Sequence, residues 1–161
     1  LLAVGLLFVG ITLISNGYCG LAGVDKKSTA LLNILTGSLS FIINTMYLLQ
    51  GEYYSAGTGY LFAFTYLLVG LIYLFNLDMR IYGIFALFVA INTIPSAWVA
   101  YTIEGDWRFA IIWLLWGILW FAGFVESILK IDITKPVLYL AIFEGIVTCW
   151  IPGYLMLVNL W

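Results

Sequence analysis

Glu144 is the one ionisable side chain deep inside a long apolar stretch, LAIFEGIVTCWIPGYL. It lies about eight residues from the nearer end of its span, or about 12 Å into a helix rising 1.5 Å per residue. No base occurs at comparable depth. A neutral carboxyl there donates one hydrogen bond and accepts others. It can bridge to Asn44 or Asn92 on another helix, or meet a polar solute in a water-filled lumen. A second pattern is AIIWLLWGILWF, which sets Trp113, Trp116 and Trp120 on one helical face, within about 60° of each other at 100° per residue. Tryptophan in membrane helices usually sits at the water boundary. Trp98, Trp107, Trp150 and Trp161 fit that habit, whereas Trp116 and Trp120 fall in mid-span. Helix packing and the lining of a lumen both explain the stripe. Leu2, Leu6, Val9 and Leu13 form a comparable stripe on the first span and offer a facing surface.

Much other chemistry is excluded. The chain has no histidine, no GxxxxGK[ST] phosphate loop, no HExxH and no cysteine cluster. Metal sites built on His or Cys, serine–histidine catalysis and ATP-driven pumping therefore fall away, and neither an enzyme nor a cofactor is expected. Cys19 and Cys149 fall in opposite halves of the membrane and read as packing residues. The polar residues within the spans include Thr12, Ser15, Asn16, Asn44, Thr45, Thr65, Asn92, Thr93 and Thr148.

The elements that must position these residues are membrane helices. The chain is 65% hydrophobic and 9% charged, with a mean hydropathy of +1.12. A soluble domain of 161 residues has too little interior to hide so much apolar surface, so lipid is the solvent. No basic face exists for nucleic acid. Charges and turn residues cut the chain into apolar segments at about 2–20, 28–49, 56–75, 81–101, 108–129 and 136–158, each near the roughly 20 residues a helical span requires. The first, LLAVGLLFVGITLISNG, lacks a basic n-region and a cleavage site and reads as a retained span. The expected fold is thus an all-α integral membrane protein, one six-span domain over residues 1–161.

Orientation follows from charge. Lys26, Lys27, Arg80, Lys130 and Lys135 lie in one set of loops and only Arg108 in the other, which makes the first set cytoplasmic and places both termini outside. Val24-Asp25-Lys26, Leu77-Asp78-Arg80 and Ile131-Asp132-Lys135 repeat at nearly equal intervals. Aspartate there caps the next helix. The repeat suggests three outward-opening helical hairpins about a pseudo-threefold axis, although any polytopic protein can cap its inner loops this way.

FVGITLISNGYCG, DKKSTALLN, TGYLFAFTYL, LFVAINTIPSA, EGDW, AIIWLLWGILWF, ESILKI and LAIFEGIVTCWIPGYL together resemble the bacterial urea channel and amide transporter family, in order along all six spans. The resemblance implies a passive urea channel in the bacterial cytoplasmic (inner) membrane. It implies a central pore in each protomer and six protomers in a ring around lipid. Matched by position, the lining would be Leu2, Leu6, Val9, Leu13, Phe64, Phe109, Trp113, Trp116, Leu119, Trp120 and Glu144. Phe109 stands where a family member has tryptophan, and Leu68 where one has tyrosine. Urea is small, flat and polar, so aromatic faces can select its thickness while sparse polar groups offset part of its lost hydration.

Acid-activated members of that family carry a long, histidine-bearing loop between spans two and three. Here that loop is QGEYYSAG, and histidine is absent. Histidine is the side chain whose unperturbed pKa lies between pH 5 and 8, so the expectation is urea permeability that is not acid-gated. Two alternatives stay open: a short-chain amide permease of the same fold, and a proton-coupled amide transporter using Glu144 as carrier.

Overall fold

The computed structural model describes residues 1–161 and is helical almost throughout. Six helices have the length and composition of membrane spans: α1 Leu2–Ala22, α2 Lys26–Leu49, α3 Tyr53–Phe75, α4 Arg80–Thr102, α5 Trp107–Leu129 and α6 Thr134–Leu157. The sequence-derived limits agree to within a few residues. The breaks have local causes. Gly23, Asn76 and Lys130 close α1, α3 and α5 in the left-handed conformation, and Gly51 and Gly105 turn the chain at φ 81° and 70°.

Asp25 caps α2 as expected, and the other two repeated aspartates each accept from the first amide of the helix that follows. Asp25 accepts from the Ser28 amide at 2.9 Å and the Ser28 hydroxyl at 2.6 Å. Asp78 accepts from the Arg80 amide and guanidinium, and Asp132 from the Thr134 amide. These bonds hold all three carboxyls below the usual carboxylate range, Asp78 at about 2. A lowered folded-state value means that a cap is ionised at neutral pH and lost only as pH falls through that value. On the other side of the chain Asp106 caps α5 through the Arg108 and Phe109 amides.

The chain divides into two compact units, Leu1–Leu77 with Leu138–Trp161, and Asp78–Val137. In the first, α2 lies along α3, and α1 packs on both α2 and α6. In the second, α4 lies along α5. The closest pairs thus include α2–α3, joined through residues 50–52, and α4–α5, joined through residues 103–106. Small residues decide this pairing. A Cβ on Gly37 would meet the Leu67 backbone at 2.8 Å, and one on Gly70 the Ile34 side chain at 2.6 Å. Gly117 of α5 likewise leaves room for the Thr93 hydroxyl of α4.

A close crossing in the first unit joins α1 to α6. A Cβ on Gly10 would lie 2.9 Å from the Gly145 carbonyl oxygen and 2.9 Å from the Trp150 nitrogen, and one on Gly145 would lie 2.8 Å from the Gly10 carbonyl. Backbone meets backbone, so neither neighbour can yield as a side chain would. Gly10→Ala is therefore expected to lower stability by about 1–3 kcal/mol, the usual scale of overpacking. Gly57→Ala, where nothing lies within 4 Å, should leave it unchanged. Thermal unfolding of the two variants in detergent measures the contrast.

Candidate functional site

Glu144 sits where α6 departs from regular geometry. Residues Gly145–Trp150 form a wider π-helical turn before α-helix resumes at Ile151. Pro152 supplies a cause: it has no N–H to donate, and its ring would clash with the carbonyl four residues earlier. Such insertions often accompany functional sites. The Thr148 hydroxyl donates to the Glu144 carbonyl oxygen at 2.6 Å. The Glu144 side chain is 0% exposed, and neither of its carboxyl oxygens has a hydrogen-bond partner in the protein. The interhelical bridge that would make Glu144 purely structural does not form. Asn44 donates instead to the Ser40 carbonyl at 2.7 Å, and Asn92 to the Phe88 carbonyl at 2.8 Å.

The crossing at Gly10 and Gly145 brings the α1 stripe beside this carboxyl's backbone. A Cβ on Gly145 would lie 3.0 Å from the Leu13 Cβ. Leu6, Val9 and Leu13 are buried, whereas Leu2, at the start of α1, is 44% exposed. Three of the four stripe residues are thus interior.

α3 departs from expectation. Phe64 is 43% exposed and lies in an aromatic group with Tyr60 and Phe41, at centroid distances of 5.8 Å and 6.2 Å. Tyr66, two residues on, is only 4% exposed. Two residues turn a helix by about 200°, so these rings face nearly opposite ways. FAFTY offers aromatics at alternate positions, and nothing in that run says which face α2 covers. Tyr66 is the interior aromatic that sequence reasoning missed.

In the second unit α5 has two faces. Ile111, Leu114, Ile118 and Phe121 are exposed, while Phe109, Trp113, Trp116 and Trp120 are buried. Leu119 is half-buried. Trp113 and Trp116 meet edge to face at 5.1 Å and 84°, and Phe109 stands edge-on to both, at 6.3 Å and 5.7 Å. Edge-to-face contacts suit the ring quadrupole and make this cluster stiff. Trp98, Trp107 and Trp150 are exposed, as boundary residues should be.

A family profile described as AmiS/UreI family transporter matches residues 1–160. The chain belongs to the AmiS/UreI family. It is 43% identical to the acid-activated urea channel of Helicobacter pylori, with the whole of both chains covered. It is 35% identical to a putative amidate substrates transporter protein of Mycolicibacterium smegmatis, over 98% of this chain and 77% of that one. Among solved structures, the Helicobacter pylori urea channel in its closed state superposes with a TM-score of 0.94, at 44% identity and full coverage of both chains. Membership in the AmiS/UreI family makes the chain a multi-pass membrane transporter and not an enzyme.

The comparison overturns one expectation. Urea passage that is not acid-gated, or pH-independent, was expected from the missing histidines. The AmiS/UreI relative matched from end to end is named as acid-activated. The inference failed because histidine is one titratable group among several. A carboxyl's surroundings can move its titration by several units, so a histidine count does not decide a pH response.

Proposed function

We propose that this protein is a urea channel of the bacterial inner membrane, with both termini outside the cytoplasm and six protomers to a ring. One observation carries the reading: a fully buried carboxyl whose two oxygens find no partner in the protein. An unpaired buried polar group is costly, and a polar solute able to donate hydrogen bonds relieves that cost as it passes. Urea fits in size and chemistry, and the matched relative is named for it.

The passage is lined in the first unit by Leu6, Val9, Leu13 and Glu144, with Leu2 at its outer end. In the second unit the lining candidates are Phe109, Trp113, Trp116, Leu119 and Trp120. For α3 we assign Tyr66 in place of Phe64, because a pore-lining ring has to lie inside. The family also includes a protein named for amidate substrates, which keeps a short-chain amide as the second reading. Vesicles carrying the protein decide between them at an external pH of 5. Urea should permeate at least as fast as acetamide. Fast acetamide influx with urea no faster than in protein-free vesicles would give the amide reading instead.

The orientation is tested separately. From the basic residues of the inner loops, a reporter fused after Trp161 should be extracytoplasmic and one beside Lys26 cytoplasmic. A cytoplasmic C-terminus would overturn the arrangement.

A further inference from the structure

α1 and α2 are joined by a ladder of buried and half-buried hydrogen bonds. Asn16 donates its amide to the Asn33 side-chain oxygen at 3.0 Å, and Asn33 returns the bond at 2.7 Å. One turn away the Thr12 and Thr36 hydroxyls meet at 2.7 Å, and Thr12 donates to the Phe8 carbonyl at 2.9 Å when Thr36 donates to Thr12. Asn33 donates further to the Thr29 carbonyl at 2.9 Å. Asn33 and Thr12 are fully buried. These groups satisfy one another, so the ladder has no need of a solute.

Its place on α1 is informative. At 100° per residue, Thr12 and Asn16 centre about 70° to one side of the stripe formed by Leu6, Val9 and Leu13. Gly10 and Gly17, which press on the α6 backbone, centre about 60° to the other side. The stripe is flanked by a directional contact on one side and a steric contact on the other. Apolar contacts alone let a helix slide and rotate. Hydrogen bonds in a low-dielectric interior do not, and a buried amide pair can fix the register of neighbouring helices.

We propose that Thr12, Asn16, Asn33 and Thr36 are positioning residues: they fix the rotation and height of α1 and thereby set how far Leu6, Val9 and Leu13 project into the passage. The proposal rests on the channel reading above. Removing the ladder leaves the lining residues in place chemically but loosens the wall they stand on. Selectivity by size is then lost before conduction is.

The test uses full-length protein in vesicles and reads the ratio of urea to thiourea permeability, with yield of assembled protein read alongside. Thr12→Val keeps the shape and removes one hydroxyl. The double variant Asn16→Leu, Asn33→Leu removes both amides. Thr12→Ser restores the hydroxyl. Thr12→Val and the double variant should assemble, and their ratio should fall by about threefold, the scale of one interhelical hydrogen bond. Thr12→Ser should keep the ratio of the unmodified protein. Trp116→Ala is run beside them as a change in the lining itself. If Trp116→Ala lowers the ratio while Thr12→Val does not, the ladder is only adhesive and the proposal falls while the channel reading stands. If neither moves the ratio, the proposal falls together with the lining role of Trp116. Should the double variant fail to insert, the ratio of Thr12→Val against that of Thr12→Ser decides the matter.

Discussion

Replacing Glu144 with leucine is expected to reduce urea influx by about tenfold or more, the worth of roughly one good polar contact, while leaving the protein at least as stable. The two effects have one source. The carboxyl is fully buried and its oxygens are unpaired, so an apolar side chain of similar size removes a desolvation cost of about 1–3 kcal/mol. The same change deprives a passing solute of its polar contact within the span. Glu144→Gln, which still donates and accepts, should retain more influx than leucine. Stopped-flow light scattering of vesicles gives the influx, and thermal unfolding in detergent gives the stability. A loss of both together would mean that Glu144 holds the fold and does not serve the solute.

Trp120→Ala and Trp116→Ala should assemble but admit thiourea and larger amides about tenfold better relative to urea, the scale on which pocket size discriminates. All three tryptophans are at most 6% exposed, so burial alone does not separate lining from packing. The ring geometry helps. Trp116 is edge-on to both Trp113 and Phe109, and its removal forfeits two aromatic contacts of about 0.5–1.5 kcal/mol each. Trp120 lies one turn further along the same face and gives the cleaner reading. Trp120→Phe, which keeps an aromatic face, should preserve more of the urea preference than Trp120→Ala. A packed tryptophan would behave differently: truncation in a core costs about 3–5 kcal/mol, so yield would collapse while the surviving fraction kept its selectivity.

What the sequence made legible was whatever depends on local pattern. Six apolar stretches, the aspartate caps and the interior face of α5 all follow from composition and from the 3.6-residue period. Glu144 stood out because a carboxyl in an apolar span is rare. What stayed hidden depends on which helix covers which face. Phe64 and Tyr66 carry equal aromatic signals, and only the packing of α3 on α2 shows that Tyr66 is the interior one. The α1–α2 ladder was hidden for the same reason. Thr12, Asn16, Asn33 and Thr36 are ordinary singly and become a unit only when two antiparallel helices bring 16 to 33 and 12 to 36. The close pairing of α2 with α3 rests on glycines such as Gly37 and Gly70, whose contacts need three dimensions. The pH response was misread because one residue type stood in for all titratable groups.

The most direct test of urea conduction is the rate of urea influx into vesicles carrying the purified protein, measured against urea concentration. An external pH of 5 keeps a channel of the acid-activated kind open, and a protonophore collapses any proton gradient. A passive urea channel predicts influx well above that of protein-free vesicles, rising in proportion to the urea gradient with the gradient of protons abolished. Influx equal to that of protein-free vesicles, or influx that stops when the proton gradient is removed, would contradict it.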